Sequence, residues 1–193
     1  MQTETITAYA TTTSHWEGWQ QAYRFGVLLI VPPEPVYTQV NRLRAIYDPR
    51  SQAICAAHIS LTIPLPGPMT AAHWLELEAI AAGLLPFEIQ YGPLRHYLPF
   101  PGVVLTIAPQ DTLDRLRQSL EAATAYIGTP PRRYPFSAHM TIAEFITVDQ
   151  TMALMEELVD AVPPGSFTCD GVSYAVPDGS FGFSERSRLV LGR

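Results

Sequence analysis

The sequence contains no lysine; its 12 basic residues are all arginine. This excludes a Walker-type phosphate loop, a Schiff-base lysine and the lysine nucleophile of nucleotide-dependent ligases. Cysteine is nearly as scarce. Cys55 and Cys169 are too few and too far apart for a zinc knuckle or a CxxC redox pair, and they read as buried free thiols. Charged residues make up only 16% of the chain, and the net charge is −6. A chain of that sign lacks the basic face that grips a long polyphosphate backbone, although a local pocket can still hold one or two phosphates. No apolar run is long. "FGVLLIV" stops at Pro32-Pro33, well short of the ~20 residues that span a bilayer. The N-terminal "MQTETITAYATTTSHW" has no basic segment followed by an apolar stretch, so it does not read as a secretory signal. The acidic positions form no spaced pair suited to glycoside or metal chemistry. The expectation is a soluble, cytoplasmic protein with no membrane association, no metal and no cofactor.

What the chain does contain is a repeat. Residues 1–22 read as a Thr-rich mobile tail followed by a short helix with a Ser14/Glu17 capping box. "RFGVLLIV" reads as a buried strand and "EPVYTQVNRLRAIYD" as a helix with Val36, Val40, Leu43 and Ile46 on one face. "AHISLTIPL" alternates like a strand. "TAAHWLELEAIAAG" is a helix between a Thr cap and Gly83, and "PFEIQYGPLRHY" is a strand bent at Gly92-Pro93. The order then begins again. "GVVLTIAP" is a strand, and the helix "DTLDRLRQSLEAATAYIG", capped by Asp111, directs Leu113, Leu116, Leu120 and Ile127 to the core. "AHMTIAEF" is a strand, "DQTMALMEELVDAV" a helix, "SFTCDGVSYAV" a strand, and 187–191 a closing strand. Arg24 to His58 spans 34 residues and Val103 to His139 spans 36; His58 to Phe87 spans 29 and His139 to Phe167 spans 28. The expected fold is therefore α+β. A single bilobal domain (23–193) holds duplicated β-α-β-α-β units at about 24–95 and 103–176. Two antiparallel-rich sheets should flank a central cleft, with helices outside.

Two of the five histidines occupy equivalent strands in this repeat. Side chains alternate along a strand, so Ile59, Leu61 and Ile63 point to the helices while His58, Ser60 and Thr62 point away. In the second copy Met140 and Ile142 point inward, and His139, Thr141 and Ala143 point out. Each strand then displays an imidazole with a hydroxyl one pleat away, about 7 Å along the chain. A pseudo-twofold between lobes brings the two displays face to face. That arrangement suits in-line displacement at phosphorus. Imidazole titrates near ~6.5, so one ring can act as base while the other acts as acid. Hydroxyls would donate to the non-bridging oxygens, where charge gathers. No metal is required.

The segments His58-Ile59-Ser60-Leu61 and His139-Met140-Thr141-Ile142, about 80 residues apart, resemble the paired motifs of the two-histidine phosphoesterase superfamily. "YDPRSQAICAAHISLTIPL" is similar to the first-motif region of its 2′-5′ RNA ligase-like branch. The resemblance covers residues 23–191. It implies a bilobal α+β fold with both motifs lining a cleft, His58 and His139 as the acid/base pair, and Ser60 and Thr141 as phosphate-binding residues. It also implies metal-free opening of 2′,3′-cyclic phosphates, typically to 2′-phosphates, or reversible 2′-5′ RNA linkage. Many relatives have proline before the motif histidine, where this chain has Ala57 and Ala138.

Secondary candidates surround the motifs. Arg132 and Arg133 offer bidentate phosphate contacts, and Tyr134 or Phe136 a stacking face. Tyr97 and Phe100 lie near the join between repeats and offer further base contacts. His96 lacks a following hydroxyl and reads as a core or surface residue; His73, in a helix first turn, and His15, near the tail, read as solvent-facing. The expected partner is a nucleotide or RNA terminus bearing a cyclic phosphate, bound by a monomer with no obligate protein partner. Two alternatives are RNA end joining through a 2′-5′ linkage and a noncatalytic phosphate- or RNA-binding module.

Overall fold

The structure, a computed structural model, describes residues 4–193. Its helices follow the punctuation in the sequence. Thr70 caps α3 (Ala71–Ala82) in a reciprocal pair with His73, Gly83 ends that helix, and Thr147 caps α5 (Val148–Glu157) together with Gln150. In α4 (Gln110–Glu121) Leu113, Leu116 and Leu120 are buried as their spacing predicts, with Asp111 inside the first turn rather than at the cap. The helix stops at Glu121. The turn that follows resets its phase, so Tyr126 takes the core position and Ile127 is exposed.

α1 (Val36–Tyr47) is rotated relative to expectation. Its inward row is Val36, Val40 and Arg44, with Arg44 only 1% exposed, while Ile46 faces solvent. Burying a guanidinium is costly unless its N–H groups are bonded; Arg44 Nε has no partner among the described residues, and the two Nη groups make the bonds. Arg44 Nη1 donates to the Thr141 carbonyl (2.7 Å), and Nη2 donates to the Ser51 carbonyl (3.0 Å), the Ser51 hydroxyl (2.7 Å) and the Cys55 carbonyl (2.7 Å). Ser51 and Cys55 belong to or adjoin α2 (Pro49–Ile54), which is capped by Asp48. One cation thus ties α1 and α2 to the backbone of the second histidine strand.

The strands are β1 (Val27–Ile30), β2 (Ile59–Ser60), β3 (Phe87–Tyr97), β4 (Phe100–Ala108), β5 (His139–Ala143), β6 (Gly165–Cys169), β7 (Gly171–Pro177) and β8 (Phe183–Val190). They form one eight-stranded antiparallel sheet in the order β6-β3-β4-β5-β2-β1-β7-β8. The α+β class and the duplicated order agree with the sequence. The two expected sheets are continuous, joined among the described residues through a single registered pair, Ile59↔Met140. The lobes are also not the repeats. β3 and β4 are separated only by Leu98 and Pro99, so they pair as a hairpin and β3 lies in the second lobe, while β7 crosses to pair with β1. "SFTCDGVSYAV", expected as one strand, breaks at Asp170 into β6 and β7, near opposite ends of the strand order. A single residue spans only about 3.3–3.6 Å, so the sheet must curl until its margins meet at Asp170.

Register matches between lobes. Ile30 pairs with Ile59 and Leu29 with Ser60; correspondingly Leu105 pairs with Met140 and Val104 with Thr141. Irregularities trim both histidine strands. The amides of Leu61 and Thr62 both turn onto the Leu28 carbonyl, a bulge that ends β2 after Ser60. Thr62 is therefore buried rather than displayed, and its hydroxyl accepts from the Leu28 amide and the Tyr126 hydroxyl. A register shift in β4–β5 buries Ala143 likewise. The main core lies between the sheet and the helices and is built from Leu28, Ile59, Leu77, Leu105, Met140 and their neighbours.

The described part of the N-terminal segment is docked, not a mobile tail. The Ile6 amide bonds to the Met69 carbonyl (3.1 Å), the Ala71 amide to the Glu4 carbonyl (3.2 Å), and Tyr9 meets Tyr174 hydroxyl to hydroxyl (3.0 Å). A 3-10 turn at Gln20–Tyr23 replaces the expected capped helix.

Arg44→Ala leaves several buried acceptors without donors and is expected to cost roughly 3–5 kcal/mol of stability. Arg44→Lys should recover only part, because an ammonium cannot reproduce the planar fork. Urea denaturation of both variants checks this.

Candidate active site

The junction pair Ile59↔Met140 places both motifs. Extending that register one residue each way sets His58 opposite Thr141 and Ser60 opposite His139. Ile59 and Met140 point into the core with no exposed surface, so the four polar side chains share the other face. The two histidines are diagonal neighbours in this grid, a relation that sets residues roughly 7–8 Å apart, with their β-carbons somewhat closer. Neither the Ser60 nor the Thr141 hydroxyl bonds to another described residue; Ser60 is exposed and Thr141 half-buried.

Each histidine is held the same way. The Ala57 amide donates to Asn41 Oδ1 (2.7 Å) from α1, and the Ala138 amide donates to Gln110 Oε1 (2.9 Å) from α4. The N–H that a proline would lack is therefore used as an anchor in both copies. His58 Nδ1 lies 2.7 Å from the Ala56 carbonyl, and His139 Nδ1 lies 2.8 Å from the Ser137 carbonyl. A carbonyl only accepts, so Nδ1 carries the proton in both rings and Nε2 is the nitrogen presented to the cleft.

The two rings differ in surroundings. Burial pushes the His58 imidazole down to about 4; its bond to Ala56 opposes this, and the nearby charges of Arg44 and His139 reinforce it. Two cavities border His58. One, of about 590 Å³, runs past Tyr37, Ser173 and Glu185; the other, of about 140 Å³, lies between Ser60, Tyr23, Glu144 and Phe183. His139 stands instead beside the Tyr97 ring, with centroids 6.2 Å apart. Among the described residues no group of three or more His, Cys, Asp or Glu side chains is placed to hold a metal ion.

Of the secondary candidates, Tyr97 is the one with its ring against a motif histidine. Arg132 donates to the Leu61 carbonyl (2.7 Å) and to Glu121 (2.9 Å) and rests on Phe136, so its guanidinium serves the loop itself. Arg133 and Tyr134 are exposed on that loop, stacked on each other, and line a hollow that includes neither histidine. Phe136 packs against the core, and Phe100 is exposed at the hairpin tip. His15 and His73 take bonds at the surface, to Gly179 and Thr70. His96 is half-buried.

Sequence reasoning missed Asn41, Gln110, Arg44, Asp48 and Glu144. Asp48 accepts from the amides of Glu144 (2.8 Å) and Phe145 (3.0 Å), fixing the turn after β5. The i, i+4, i+8 row ending at Arg44 was the available signal; the others are isolated polar residues that a pattern does not single out.

A family model for the 2′-5′ RNA ligase superfamily matches residues 32–180. No curated protein matches the chain. Among solved structures, Escherichia coli LigT complexed with 3′-AMP is 20% identical, over 86% of this chain and 97% of that one, with a TM-score of 0.57. A structure described as a phosphoesterase is 19% identical over the same shares, with a TM-score of 0.57. TT0787 of Thermus thermophilus is 16% identical over 86% and 97%, with a TM-score of 0.56.

His58 titrates near 4 when folded and near ~6.5 when unfolded, so the unfolded chain binds more protons between those values. Its stabilising contribution is complete above about pH 6.5 and is lost as pH falls toward 4. Urea midpoints of the parent should drop across that window relative to His58→Gln; parallel curves would contradict the assignment.

Proposed function

The chain belongs to the 2′-5′ RNA ligase superfamily, and on that premise we propose that it opens 2′,3′-cyclic phosphates of nucleotides or RNA ends, leaving a 2′-phosphate. The observation that carries this reading is the four-group grid: two imidazoles on a diagonal, each with Nε2 free, and two unbonded hydroxyls on the other diagonal. A phosphate seated over it meets a proton acceptor on one side and a proton donor on the other, as in-line displacement requires.

His58 is the base in this proposal, since burial keeps it unprotonated at neutral pH. Its Nε2 takes the proton of a water whose oxygen attacks phosphorus. The P–O3′ bond breaks on the opposite side, and O3′ takes a proton from His139 Nε2. Ser60 and Thr141 donate to the non-bridging oxygens, where negative charge increases in the transition state. No step calls on a metal. Solved relatives of this fold hold 3′-AMP and phosphate, which supports a nucleotide phosphate as the ligand class. With a 5′-hydroxyl attacking phosphorus in place of water, the same groups would join ends through a 2′-5′ linkage. The net charge of −6 favours a small substrate over two RNA strands held together.

Nucleoside 2′,3′-cyclic phosphates should be turned over in excess chelator to 2′-phosphates. The pH profile should be bell-shaped, with the acid limb set by His58 well below neutral. His58→Ala and His139→Ala should each lower kcat by about 10²- to 10⁴-fold with the fold intact by circular dichroism. Tight binding of cyclic phosphate with no turnover by the parent would overturn the proposal in favour of a binding module, and turnover only in a tRNA-half joining assay would overturn it in favour of ligation.

A further inference from the structure

The smaller cavity beside His58 has walls that the family match does not include. Trp19 and Tyr23 precede the matched stretch of 32–180, and Phe181 and Phe183 follow it. Their rings pack edge to face, Trp19 on Phe181 at 5.2 Å, Tyr23 on Phe183 at 5.9 Å and Phe181 on Phe183 at 5.3 Å. Phe181 is held with φ at +66°, a conformation that a bulky residue adopts only where the surroundings impose it. Trp19 is tied to the far wall: its indole N–H donates to Glu17 (2.8 Å), Glu17 pairs with Arg50 (2.6 Å), and Arg50 lies 4.0 Å over the Phe145 ring.

The cavity also holds one oriented acceptor. Buried Arg44 donates to the Ser51 hydroxyl, and Ser51 donates to Glu144 Oε1 (2.8 Å). Glu144 Oε2 has no hydrogen-bond partner among the described residues. A purely apolar occupant would strip water from this carboxylate without replacing its bonds, which is unfavourable. A flat ring with N–H donors on one edge satisfies both the walls and the carboxylate. Ser60 and His58 line the same cavity, which puts such a ring within reach of a phosphate seated on the motif residues.

We infer that the cavity walled by Trp19, Tyr23, Phe181 and Phe183 is a nucleobase subsite in which Glu144 selects bases that present N–H donors, guanine foremost. The inference rests on the proposed phosphodiesterase reading for the position of the phosphate. Guanine has N1–H and its amino group pointing the same way, a match for one carboxylate. Adenine and cytosine present an amino group beside a ring acceptor, and uracil presents a lone N–H between two carbonyls. Ring stacking supplies sequence-tolerant binding, and the edge contact supplies the choice.

The test has two arms on the full chain. In the first, kcat/KM is compared for the guanosine, adenosine, cytidine and uridine 2′,3′-cyclic phosphates and for ribose 2′,3′-cyclic phosphate. In the second, quenching of tryptophan fluorescence reports binding of the four nucleoside 2′-monophosphates and of ribose phosphate, which requires no chemistry. The expected result is a preference for guanine over uracil of about tenfold in both arms, with ribose phosphate weakest. Glu144→Gln keeps an acceptor for Ser51 and should erase the guanine preference, while Trp19→Ala should weaken all four bases together. Base-selective binding with no turnover would sustain the subsite and sink the phosphodiesterase reading. Turnover equal for all bases and for ribose phosphate, unchanged in Glu144→Gln, would overturn the subsite and leave that reading standing.

Discussion

Everything at the candidate active site depends on one backbone contact, the antiparallel pairing of Ile59 with Met140. Among the described residues it is the only registered pair between the two halves of the sheet. Because side chains alternate, seating those two hydrophobes in the core forces all four polar motif residues onto the opposite face. A slip of one residue would bury the imidazoles and expose the hydrophobes. The core therefore sets the register, and the register sets the separation of the two rings.

So short a junction needs support from elsewhere. Arg44 supplies it by bonding the Thr141 carbonyl of β5 to the α1–α2 corner, and Asp48 holds the backbone that follows. Asn41 and Gln110 hold the residues just before each histidine. These groups lie outside the four-residue grid. They fix the backbone that carries the two histidines, and on the proposed reading the placement of the paired rings decides whether they can work as acid and base.

Much of this was legible in the sequence. Caps at Thr70, the leucine row of α4 and the two His-x-Ser/Thr frames are local signals, and local signals survive tertiary context. The failures came where long-range packing decided. Ile46 fits a helical stripe as well as Arg44 does, but the carbonyls of β5 and α2 give the guanidinium partners that no window around residue 44 contains. Thr62 continues an alternating pattern, yet a bulge on Leu28 turns it inward. The RRY loop was legible as basic and aromatic, but Arg132 answers to Glu121 and a main-chain carbonyl. The aromatic walls of the smaller cavity come from residues 19, 23, 181 and 183, which are far apart in sequence and meet only through folding.

The one-residue link at Asp170 has a mechanical consequence. The halves of the sheet are stitched at the junction pair, at the β3 crossover and again where β6 passes into β7. Fastened along three seams, the halves can swing apart only by straining those links or giving up the junction pair. On the proposed reading, such stitching favours a site whose groups stand ready before the ligand arrives over one that a closing motion assembles.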